Sequence, residues 1–149
     1  MKFFSDPLVK RKLICVVLGI VFGFLCFYLA EGGNGPEESL WCTPVMWGIL
    51  FNRLLLGVMV FLAGFITFHK TFKFRLYPWL RGLIVGAFVS VDLAIWYLMM
   101  PDIDSSQKWA IFGMTIVAGA IYGLIIDVVA TKLSAEGKDL LNGWGVVKK

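Results

Sequence analysis

Apolar positions fall into four long runs separated by short polar gaps. The runs cover about residues 13–30, 44–68, 79–100 and 109–131. Each is close to the ~20 apolar residues that a helix needs to cross a bilayer core. The gaps carry Gly, Pro, Asn and charge, as "EGGNGPEESLWCT" and "HKTFKFRLYP" show. The expectation is an all-α integral membrane protein with four transmembrane helices. Residues 1–133 then form the membrane domain and residues 134–149 a short tail. Helix boundaries are also signalled. Thr43-Pro44 reads as an N-cap followed by proline at the first helical position. Pro101 should end the third run. The tail "KLSAEGKDLLNGWGVVKK" suggests one short interfacial helix reaching Leu141 rather than a separate domain.

Composition supports the pattern. The chain of 149 residues is 59% hydrophobic and 16% charged, with a mean hydropathy of +0.82. Ordinary soluble domains have roughly 45–50% apolar and about 25% charged residues. A net charge of +4 raises nucleic acid as a partner, but the charges sit in the gaps between apolar runs, and no nucleic acid is expected. The three cysteines, Cys15, Cys26 and Cys42, contain no C-x-x-C pair. Neither a disulfide framework nor a zinc site is expected.

Charge placement orients the runs. Lys2, Lys10, Arg11 and Lys12 precede the first run. Glu31, Glu37 and Glu38 follow it without a base. Lys70, Lys73 and Arg75 follow the second without an acid. Asp102, Asp104 and Lys108 follow the third. Lys132, Lys138, Lys148 and Lys149 follow the fourth. By the positive-inside rule both termini should be cytoplasmic, in a multi-pass protein of the plasma membrane. Trp41, Trp47, Trp96 and Trp109 then gather at the outer interface, with Tyr77 and Trp79 at the inner one. The first run exceeds a signal-peptide core, and Tyr28 stands where a small residue would precede cleavage at Ala30. It reads as a retained span.

The halves resemble each other. "GIVFGFLC" from Gly19 matches "GLIVGAFVS" from Gly82, and "WGILFNRLLLG" from Trp47 matches "WAIFGMTIVAG" from Trp109. Two parallel-repeat helical hairpins would give this pattern, as would chance in a small apolar alphabet. Small residues also recur at helical spacing. The first run has Cys15, Gly19 and Gly23, and the third has Gly82, Gly86, Ser90 and Ala94. The fourth has Thr115, Gly119, Gly123, Asp127 and Thr131. In the second, Gly57 and Gly64 share a face. Such ridges let membrane helices approach closely, within or between protomers. A glycine-lined pore is the alternative.

Charge inside the runs is the main chemical clue. Arg53 lies about 13 Å along the second helix from Pro44, and Asp92 about 12 Å from Met100 on the third. A lone charge at that depth costs at least about 2.5 kcal/mol. Arg53 and Asp92 are therefore expected to form an intramembrane pair, with Asn52 adding an interhelical hydrogen bond. Arg81 and Asp127 form a second possible pair at the cytoplasmic end.

No cofactor or metal is expected, because the chain has no His/Glu/Cys cluster, phosphate loop or nucleophile elbow. His69 is a lone interfacial histidine. The first reading is a non-enzymatic bundle, either a homo-oligomer or a small subunit of a membrane assembly. The second is a small ion or solute transporter or channel, with Arg53, Asn52 and Asp92 lining the path. A membrane enzyme is a distant third.

Overall fold

The computed structural model describes residues 6–32, 41, 43–69, 74–99, 104–137 and 140. Its elements are α1 (Pro7–Glu31), α2 (Pro44–Ala63), β1 (Phe68–His69), β2 (Phe74–Arg75), α3 (Pro78–Leu98) and α4 (Ser105–Leu133). All four helices are long and apolar enough to cross a membrane. Lys2, Glu37, Glu38, Cys42, Lys70, Lys73, Met100, Pro101, Asp102, Lys138, Leu141, Lys148 and Lys149 lie outside the described residues.

The helix starts follow local chemistry. Asp6 caps α1 by accepting from the Leu8 N–H at 2.9 Å, and Pro7 takes the first turn. Because this signal precedes the apolar run, α1 begins at Pro7 rather than at residue 13. Lys10, Arg11 and Lys12 therefore stand on the helix and do not merely flank it. Pro44 and Pro78 open α2 and α3. Asp104 caps α4 through the Ser106 N–H at 3.2 Å.

The second apolar run was expected to stay helical to residue 68, but α2 ends at Ala63. Its 20 residues already span about 30 Å. Gly64 follows as a poor helix former, and its carbonyl accepts the Gly137 N–H at 2.9 Å. The chain then turns through the antiparallel pair β1–β2, in register Phe68 with Arg75 and His69 with Phe74.

Contact is densest between α3 and α4, then between α1 and α2, and thinner along the α2–α3 seam. Glycines make the two dense contacts possible. A Cβ at Gly19 would lie 2.8 Å from the Arg53 carbonyl oxygen, and one at Gly57 would strike the Cys15 carbonyl. In the other hairpin, a Cβ at Gly123 would lie 2.8 Å from the Gly86 Cα, and one at Gly86 would strike the Gly119 carbonyl. Gly23 packs against Leu50, Gly82 against Gly123 and Asp127, and Gly64 against Arg11. All eight glycines expected on ridges thus meet neighbours within the chain. Lipid provides little hydrophobic force between helices, so this close approach is what holds each hairpin.

Gly57 meets Gly19, whereas Gly82 meets Gly123. If the halves corresponded as the sequence match pairs them, Gly119 would take that place, so these contacts do not follow the matched register. Between the hairpins lies a core of Cys15, Leu56, Val60, Val89, Tyr122, Ile126 and Ala130. A second cluster of Phe27, Met46, Ile49 and Leu93 fills the half nearer the α1–α2 connection.

Candidate functional site

Two polar groups lie within the bundle, one towards each end. The first joins the starts of α1 and α3 to the end of α4. Asp127 is fully buried and receives two guanidinium groups. Arg81 holds it as a fork, Nε to Oδ2 at 2.6 Å and Nη2 to Oδ1 at 2.8 Å. Arg11, also fully buried, donates from Nη2 to Oδ1. Its Nη1 donates to the Thr131 hydroxyl at 3.0 Å and to the Ala135 carbonyl at 2.9 Å. The Ile66 carbonyl accepts from Arg81 Nη1 at 3.1 Å. Glu136 supplies a second carboxylate, 3.3 Å from Arg81 and 2.9 Å from Arg75.

The Arg81–Asp127 pair seen in the sequence is thus formed, and Arg11 completes it. By charge alone Arg11 belongs to the basic flank of the first run. Its signal was present, since Arg11, Cys15, Gly19 and Gly23 recur at spacing four on one face of α1. Gly64 provides its space: a Cβ there would lie 2.6 Å from Arg11 Cζ. Two arginines around one carboxylate leave excess positive charge, which Glu136 and the accepting carbonyls offset. After Leu133, residues 134–137 and 140 fold back against the bundle, with Gly137 at φ +60, a left-handed conformation suited to glycine, and with Leu140 fully buried.

The second group lies in the other half, on α2 and α3. Arg53 is fully buried. Its Nη1 donates to Ser90 Oγ at 2.6 Å and its Nη2 to Cys26 Sγ at 3.7 Å. Its Cζ lies 5.4 Å from the centre of the Tyr122 ring. Its Nε has no acceptor among the described residues. The expected Arg53–Asp92 ion pair is not formed. Depth agreed, but direction did not. Ser90 and Asp92 are two residues apart on α3, about 200° around the helix. Arg53 turns to the Ser90 side, into the bundle, whereas Asp92 is exposed on the other side.

Asn52 meets Asp92 instead. Its Nδ2 donates to Asp92 Oδ1 at 2.7 Å and to the Val89 carbonyl at 3.1 Å. Two acceptors at one end of the amide fix its orientation, so Oδ1 is left buried without a donor. The Leu93 N–H also donates to Asp92 Oδ1, at 2.7 Å. Both bonds fall on the same oxygen, so Oδ2 has no partner among the described residues. Asp92 is exposed and lines a groove of about 530 Å³ between α2 and α3, walled by Gly48, Phe51, Leu55, Leu93 and Trp96.

Chemically, the first group is a closed clamp. The second combines an enclosed donor lacking an anion with an open acceptor lacking a cation. His69 lies in β1, and its side chain is outside the described residues. Comparison with known proteins gives no match among family models, curated proteins or solved structures.

Proposed function

We propose that this chain is a small, non-enzymatic membrane protein that binds and moves a solute, using the polar group of Asp92, Asn52 and Arg53. The observation that carries the reading is the separation of Arg53 from Asp92. Both charges lie well inside helices that suit a membrane, at about 13 Å from Pro44 and about 9 Å from Leu98 along their helices. In lipid each costs free energy on its own, and pairing would remove most of that cost. The bundle forms such a pair at its other end. Unpaired intramembrane charge is expected where a ligand or a wet path completes the site.

Purified chain in liposomes tests this. With a panel of inorganic ions, protons and organic ions, at least one should cross faster than through empty vesicles. Asp92→Asn should lose that flux, while Arg75→Ala at the opposite end should keep it. No flux for any of them contradicts the reading.

A second reading keeps the role of assembly subunit. Its support is that Asp92 lies on an exposed face, where a basic residue on a partner membrane helix would also satisfy it. The glycine ridges, by contrast, are used within the chain and leave little for a protomer interface. Gentle extraction from native membrane would show a partner that Asp92→Asn releases.

A further inference from the structure

We propose that the α2–α3 groove binds an organic ammonium, an N–H-bearing amine cation on a compact apolar body, that enters from the lipid side. The inference rests on the solute-binding reading above and names the ligand class.

The groove offers one carboxylate, and the Trp96 indole N–H is its only side-chain donor not already committed. Asp92 is exposed and lines the groove, and both of its hydrogen bonds fall on Oδ1, so Oδ2 has no partner among the described residues. Asn52, only 6% exposed, commits both Nδ2 donors inside the protein and leaves Oδ1 without one. An anion meets the Asp92 carboxylate and, for a side-chain donor, only the Trp96 indole N–H, whereas an ammonium supplies several N–H donors and the charge that the carboxylate lacks. The walls suit the rest of such a molecule. Phe51 and Trp96 are 62% and 39% exposed and give aromatic faces, which attract cations as well as apolar groups. The volume of about 530 Å³ falls within the ~300–1,000 Å³ usual for small-molecule sites.

Two other occupants fit less well. Among the described residues, a second copy of this chain has no suitable cation. In this half the described basic residues are Arg53, buried and turned inward, and Lys108 in the first turn of α4. The others described lie at the opposite end. A partner helix needs a face along the whole hydrocarbon core, about 30 Å. The groove runs from Pro44 to Leu55 on α2, about 17 Å of helix. Half a bilayer suits a compact amphiphile.

The test is equilibrium binding to the chain in lipid nanodiscs, with empty nanodiscs as background. The probes are 2-phenylethylammonium, its trimethylated form, 2-phenylethanol and 3-phenylpropionate. Saturable binding of 2-phenylethylammonium is expected, several-fold weaker for the trimethylated cation and absent for the alcohol and the carboxylate. Asp92→Asn should weaken it at least tenfold while keeping the wild-type thermal midpoint or a higher one, and Asp104→Asn should leave it unchanged. Equal binding by Asp92→Asn, equal binding of 3-phenylpropionate, or no saturable binding overturns the proposal. So does a partner subunit released by Asp92→Asn, which would assign the groove to a helix. The underlying reading fails separately. Ammonium bound but never transported would overturn transport alone. Inorganic-ion flux lost in Asp92→Asn, without ammonium binding, would overturn this inference alone.

Discussion

At one end of the bundle two guanidinium groups hold one carboxylate, and three helices depend on the contact. In the other half, a guanidinium and a carboxylate on neighbouring helices lie at similar depth and do not meet. Arg11, Arg81 and Asp127 are at most 3% exposed, and both arginines bond to Asp127. Arg53 is equally buried but finds only a hydroxyl, a thiol and an aromatic ring, while Asp92 faces outward. The same environment has thus been treated in two ways. Pairing serves cohesion, and the unpaired arrangement is costly to stability, which is the ground for the proposed binding role. Buried ion pairs are poor general stabilisers, yet removing one partner from such a pair is strongly destabilising. The two regions should therefore respond to mutation in opposite ways.

The largest effect is expected at Asp127. Asp127→Leu leaves two buried guanidinium groups without their carboxylate and should lose about 3–5 kcal/mol, or the folded protein altogether. Thermal unfolding followed by circular dichroism in detergent measures it. Arg11→Met should be milder, about 1–3 kcal/mol, because Arg81 still holds Asp127. The exposed neighbour change Lys10→Met should stay within about 0.5 kcal/mol. Equal effects at positions 10 and 11 would mean that Arg11 acts only as a flanking charge. Arg75→Ala should cost about 0.2–1 kcal/mol, since Arg75 is mostly exposed where it meets Glu136.

The smallest effect concerns Asp104, outside the spans. The Ser106 hydroxyl and then its backbone N–H hold the Asp104 carboxyl below its ordinary value. A depressed folded pKa gives stability that is present above the unfolded pKa and is lost as pH falls through the folded value. The first turn of α4 should therefore exchange faster below about pH 4. Ser106→Ala should move the Asp104 titration upward, as NMR can follow. An unchanged titration would show that the cap is not formed.

Much of the fold could be read from the runs themselves. Four apolar stretches set four helices, and proline and aspartate set their starts. Glycine spacing marked the surfaces that touch, because close approach between membrane helices needs small residues wherever they occur. The limits were of two kinds. Residues before the first apolar run were judged by their charge, so Asp6-Pro7 as a helix start and Arg11 on the glycine face were overlooked. The Arg53–Asp92 pair was inferred from depth, which sequence gives well. Direction around the helix depends on how the hairpins are rotated, and a two-residue offset between Ser90 and Asp92 turned one towards Arg53 and the other away. Asn52, one step from Arg53, was the residue that faced Asp92.

The most direct measurement is the thermal midpoint of Asp92→Asn in lipid nanodiscs, against wild type. Asparagine keeps an oxygen to accept from Asn52 and removes a charge that faces lipid at a cost of roughly 2.5 kcal/mol or more. The account predicts a midpoint equal to or above that of wild type. A fall comparable to that of Asp127→Leu would mean that Asp92 holds the fold together, and would contradict the division between a closed clamp and an open site.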